Sequence, residues 1–139
     1  MRKLGVAEVL QRASEIKDLS TRASWLMAND SQALRMVLVG AFDPSVKWLL
    51  PEGDPPYKPN DLVDKQHRLY TESRKLYLFI EGGNPNLKQV RREALFIELL
   101  ECLDPADAKL LLAVKDKRMP YPGVTKEVIN LAFPGLIAA

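Results

Sequence analysis

The residues best suited to catalysis are scarce: one histidine, His67, and one cysteine, Cys102. A structural zinc site draws about four Cys and His ligands together, and a Cys nucleophile needs a His base beside it. His67 lies between Gln66 and Arg68 and reads as a surface or half-buried residue. Cys102, in Leu99-Leu100-Glu101-Cys102-Leu103, reads as a buried thiol; one cysteine forms no internal disulfide and suits a reducing compartment. Carboxylates three apart, Asp61/Asp64 and Glu98/Glu101, could share a helix face and a metal, but a solvated face is the plainer reading. No Gly-rich phosphate loop with its Lys and Ser/Thr is present, and Gly82-Gly83 has no strand before it to make a dinucleotide fingerprint. The sequence thus predicts no catalytic residue, no metal and no cofactor.

Helix starts beside cations are the remaining chemistry. A helix N-terminus presents unpaired N–H groups and partial positive charge, which suits a phosphate. Gly82-Gly83-Asn84-Pro85-Asn86 precedes one predicted helix, with Lys88, Arg91 and Arg92 following. Gly123-Val124-Thr125-Lys126 opens another, just after Lys115-Asp116-Lys117-Arg118. The competing reading is ordinary capping with solvated charges.

Several elements must position these groups. The 139 residues suit one domain, 47% hydrophobic and 27% charged, and no apolar run is long enough to span a membrane. The basic Met1-Arg2-Lys3-Leu4 start lacks the apolar stretch of a signal peptide. Val6, Val9, Leu10, Ala13 and Ile16 recur at helical spacing, and a short helix follows Asp18-Leu19-Ser20 with Trp25 and Leu26. A third, begun at Asn29-Asp30-Ser31, buries Leu34, Val37, Leu38 and Ala41. Asp43-Pro44 predicts a helical turn through Trp48. Pro51, Gly53, Pro55, Pro56 and Pro59 then make a loop at about 49–60, pinned by Trp48 and Tyr57. The longest helix is expected over 62–80, with Val63, Tyr70, Tyr77 and Ile80 beside Leu62, Leu69 and Leu76 on a broad apolar face. Asn84-Pro85 and Asp104-Pro105 each predict a helix start, the helices running to about Leu103 and Lys117. Thr125 caps a last one over about 126–132. The expectation is an all-α, single compact bundle of about six to seven helices over residues 1–139.

The ending Val124-Thr125-Lys126-Glu127-Val128-Ile129-Asn130-Leu131-Ala132-Phe133-Pro134-Gly135-Leu136 resembles the close of the N-terminal helical DNA-binding domain of ATP-dependent DNA ligases, especially the small T4-like phage ligase. Gly82-Gly83-Asn84 is similar to that domain's Thr-Gly-Asn turn, and the helix order from Val6 through Trp48 also follows it. The whole chain further resembles a family of small proteins from T4-like phages of cyanobacteria. The ligase resemblance implies a grip on duplex DNA across the minor groove through helix starts, loops and basic side chains. Carried over by position, it points to Gly83, Asn84, Lys117, Arg118, Thr125 and Lys126; spacing adds Lys88, Arg91, Arg92 and Lys115. The chain departs from the pattern at Gly82, where the ligase domain tends to have Thr, and at Pro85, Pro120 and Pro122, which lack N–H groups. It has no Lys-x-Asp-Gly adenylation motif, since Lys115-Asp116-Lys117 lacks that spacing.

The resulting expectation is a non-catalytic phage module that binds duplex DNA, intact or nicked, in replication or repair. It would act in the cytoplasm of the infected bacterial host and have no membrane partner. Net charge is only +2: residues 1–50 carry +2, 51–104 carry −2 and 105–139 carry +2, so any basic surface must be a local patch. The alternative is a protein-interaction adaptor or host-takeover factor with a phage or host protein as partner, docking at Trp48, Pro55, Pro56 and Tyr57.

Overall fold

The computed structural model describes residues 4–59 and 68–137. His67, Asp61, Asp64, Leu62 and Val63 lie outside the described residues. The fold is all-α: α1 (Val6–Glu15), α2 (Leu19–Ala28), α3 (Gln32–Phe42), α4 (Arg68–Glu72) running into a 3-10 segment (Ser73–Phe79), α5 (Gln89–Cys102), α6 (Pro105–Lys115) and α7 (Lys126–Ala132).

Local chemistry explains most of the starts. Asp18 accepts the Thr21 N–H at 2.8 Å and caps α2. Ser31 Oγ accepts from Leu34 at 3.0 Å and caps α3, and Asp104 accepts from Ala106 at 3.1 Å and caps α6. Each replaces a partner that the first turn lacks. α3 is a central element: Leu34, Val37, Leu38 and Ala41 are buried as the periodicity predicts, and it packs on α6 and on the 3-10 segment. α1 packs on α2 and α6, and α7 packs on α2. One continuous core joins Leu10, Leu26, Leu38, Phe79, Phe96, Leu100, Leu111 and Ile129. Phe79 and Phe96 meet edge-to-face at 5.2 Å within it.

Four local expectations are corrected. The predicted helix over 62–80 is, in its described part, one α turn that tightens to 3-10. The 3-10 period of three places Ser73, Leu76 and Phe79 together on the buried side. That turns Tyr77, expected inside, out to solvent. The helical turn predicted from Asp43 to Trp48 is absent. Asp43 Oδ1 instead takes the N–H and hydroxyl of Ser45, and Trp48 pairs across an antiparallel bridge with Ile80. Asn84-Pro85 makes a turn, with Leu87 N–H bonded to the Asn84 carbonyl, and α5 begins only at Gln89. Finally, Cys102 is exposed. Leu99, Leu100 and Leu103 take the inward stripe and leave it outside.

Candidate nucleic-acid interface

The proline-rich segment is a strap. Trp48 anchors one end: its indole N–H donates to the Gly40 carbonyl at 3.0 Å. Its ring lies so close that a Cβ on Gly40 would meet it at 2.7 Å. Leu49 N–H bonds the Phe79 carbonyl, and Glu81 N–H bonds that of Lys47, both at 2.8 Å. Two helices then hold the strap. From α5, Gln89 donates to the Leu49 carbonyl at 2.7 Å, and Glu101 accepts the Lys58 N–H at 2.8 Å. From the end of α6, the Lys115 ammonium donates to Pro51 at 3.0 Å and Gly53 at 2.6 Å and pairs with Asp116 at 2.9 Å. The Asp116 carboxylate also takes the Gly53 N–H. Burial works against its charge, but Lys115, that amide and Arg118 together hold its pKa below the ordinary value. Tyr57 packs on the core, as predicted, while Pro56 stays exposed and Pro55 half-buried.

These contacts sort the predicted DNA-binding residues. Arg92 is withdrawn from the surface. It is buried, and its guanidinium donates to the carbonyls of Leu78 (3.0 Å), Asn84 (3.3 Å) and Leu87 (3.3 Å) and to Gln89 Oε1 (2.6 Å). It therefore folds the 84–88 turn around itself, which is why α5 starts late. Lys115 is likewise withdrawn: its side chain is 2% exposed and spent on the strap. Gly83 serves the backbone. Its N–H bonds the Ile80 carbonyl, and a Cβ there would lie 1.8 Å from the Tyr77 carbonyl oxygen. Asn84 Oδ1 takes the Asn86 N–H at 3.3 Å. Lys117 adopts a left-handed φ of 60° that ends α6, and its ammonium donates to the Asp43 carbonyl at 2.7 Å. Partial burial lowers its pKa. Thr125 caps α7 through the Val128 N–H at 3.4 Å.

Lys88, Arg91, Arg118 and Lys126 remain on the surface, and Lys117 and Thr125 are exposed too. Arg118 reaches Asp116 only at 3.4 Å, with its side chain 67% exposed. The start of α5 stands apart. Lys88 is its N-cap residue and supplies no side-chain capping hydrogen bond. The helix's first backbone bond runs from Arg92 N–H to the Lys88 carbonyl. Lys88, Gln89, Val90 and Arg91 are all exposed, Val90 to 83%. This turn and the end of α6 flank one strap, gripping Leu49 and Pro51 respectively. Thr125 and Lys126 belong elsewhere. The loop before them is fixed at α1 and α2, where Gly123 N–H meets Ser14 Oγ at 2.8 Å and Arg22 donates to the Gly123 carbonyl at 3.0 Å.

Sequence reasoning missed Arg22, which also donates to the Ala13 and Ile16 carbonyls and so ties the end of α1 to the 123 loop. No local signal marks it. The closing Phe133-Pro134-Gly135-Leu136 has a packing role: Phe133 is buried, with the Arg35 guanidinium 4.9 Å above its ring, and Asp30 pairs with that guanidinium at 2.7 Å. Asp107 is a second missed group. It lies buried at the start of α6, and one oxygen accepts the Ala7 N–H at 2.8 Å while the other has no hydrogen-bond partner among the described residues. Burial, with smaller contributions from Asp104 and Glu8, pushes its pKa up to about 7 despite that bond. Burial and the Asp107 charge also raise Tyr70 and Tyr121.

Among the described residues, no group of three or more His, Cys, Asp and Glu side chains is placed to hold a metal ion. No helix among them is long and apolar enough to cross a membrane. The sequence profile of a family of unknown function, DUF6433, matches residues 9–121. The chain belongs to that family. The matched stretch spans the strap and the α5 start and ends before Thr125. No curated protein and no solved structure matches the chain.

Proposed function

We propose that this member of the DUF6433 family is a non-catalytic module that binds duplex DNA by its phosphates, in phage DNA replication or repair within the host cytoplasm. The observation that carries the reading is the open start of α5: it has no side-chain cap, and its residues Lys88, Gln89, Val90 and Arg91 are all exposed. The resemblance of Gly82-Gly83-Asn84 to the ligase turn points to the same place. Arg118 supplies an exposed cation at the end of α6. Contacts of this kind position a duplex without reading its sequence. The surface is small, so binding should weaken with salt at a log–log slope of about −2 to −3, as expected for two or three phosphates.

Fluorescence anisotropy on intact duplex, nicked duplex and single-stranded DNA at several salt concentrations tests this. Duplex binding that Lys88→Ala with Arg91→Ala weakens, without loss of helicity, supports it. Absence of duplex binding by folded protein at low salt ends it.

A further inference from the structure

The strap runs in the same direction as α5 and is tied to it at both ends, by Gln89 to Leu49 and by Glu101 to Lys58. Between these ties the two stand apart around a cavity of about 260 Å³. Leu50, Pro55, Pro56, Phe96 and Ile97 give it apolar walls, and Glu52, Asp54 and Glu93 are the carboxylates that line it. Among the described residues Lys115 is the only cation lining it, and its ammonium is turned to the Pro51 and Gly53 carbonyls and neutralised by Asp116. The lining is therefore apolar with a net negative charge, and Glu93 also accepts from the Gln89 amide at 3.0 Å.

We propose that this cleft is a docking site for a basic side chain, arginine or lysine, presented by an apolar segment of another protein. Three features select that occupant. The cavity is smaller than the roughly 300–1,000 Å³ that holds a cofactor-sized ligand, but it suits a side chain. An arginine or lysine carries an aliphatic stem that lies on apolar walls and a cationic head that stays near water, which here meets Glu52, Asp54 and Glu93. A nucleic acid does not fit, because its phosphates would face those carboxylates. The strap is also pre-positioned: its prolines and its hydrogen bonds to Gln89, Lys115, Asp116 and Glu101 fix it before a partner arrives, so little ordering opposes binding. This docking does not depend on DNA binding at the α5 start.

The test is a titration of the isotope-labelled full chain with three end-blocked peptides, Leu-Arg-Leu, Leu-Glu-Leu and Ala-Arg-Ala, followed by backbone amide chemical shifts. Leu-Arg-Leu is expected to shift Gly53, Asp54, Glu93 and Ile97. Ala-Arg-Ala should do so more weakly and Leu-Glu-Leu not at all. The double variant Asp54→Asn with Glu93→Gln, whose own spectrum reports its fold, should bind Leu-Arg-Leu about tenfold more weakly. No shift at the cleft, equal shifts from Leu-Glu-Leu, or unchanged affinity in the folded double variant overturns the proposal. A short DNA duplex added to the same sample should move Lys88–Arg91 instead, so the two readings stand or fall separately.

Discussion

The starts of α5 and α6 follow the same sequence device, an Asn or Asp before a proline, and they end up opposite in character. At α6 the device works as written: Asp104 caps, Pro105 takes the first position, and Asp107 turns inward to meet the first turn of α1. That start is closed and carries acidic groups. At α5 the Asn84-Pro85 turn is consumed by Arg92, and the helix opens four residues after that proline, with no cap and with cations on the surface. A capped helix start whose acid turns inward is scaffold. An uncapped, exposed one is the place where an anion gains most.

The largest expected effect lies beneath the open start. Arg92→Ala strips three half-buried backbone carbonyls of a charged donor, and at about 1–1.5 kcal/mol for each hydrogen bond the loss comes to about 3–5 kcal/mol. Urea denaturation should show that loss, while Arg91→Ala, one residue away and exposed, should change stability by less than about 0.5 kcal/mol. If the two variants behave alike, the division between structural and surface cations is wrong.

The closed start carries the next effect. Asp107 has an ordinary pKa of 3.8 unfolded and about 7 folded. The native state therefore holds the proton more tightly, and stability falls as pH rises between those values and is level above them. The carboxylates with lowered pKa, Asp18, Asp30 and Asp116, contribute stability that is already complete above 3.8, so they do not mask this window. Wild-type protein should be more stable near pH 5 than near pH 8, by at most about 2–3 kcal/mol. Asp107→Asn should flatten most of that difference. A wild-type curve that instead rises across the window would show that Asp107 is ionised at ordinary cost.

Capping separates the two starts on a finer scale. Asp104→Ala should cost α6 about 1 kcal/mol, read from the denaturation midpoint. Lys88→Ser places a capping hydroxyl at the open start. It should leave stability unchanged or raise it by up to about 1 kcal/mol, while weakening DNA binding.

How much of this could be read in the chain follows from where each interaction lies. Asp18, Ser31 and Thr125 bond within three residues of themselves, so their caps are local and legible. The α3 face is legible because its burial follows simple helical spacing. Arg92 and Arg91 look equivalent as neighbouring cations. A signal was nevertheless present: Arg92, Phe96, Leu99 and Leu103 share the inward stripe of α5, and Ala108, Leu111, Leu112 and Lys115 share that of α6. A cation on an apolar stripe is a candidate for internal hydrogen bonding rather than for a ligand. The 3-10 segment and the strap ties were not legible, because Phe79, Gln89 and Lys115 find their strap partners across 30 or more residues of chain.

The most direct measurement is the salt dependence of duplex binding by wild type and by Lys88→Ser with Arg91→Ala. The open-start account predicts a slope of about −2 to −3 for wild type and one shallower by about 1 to 2 in the variant, with no loss of thermal stability. Equal slopes and affinities for the two proteins would contradict it, and would move any DNA contact away from the start of α5.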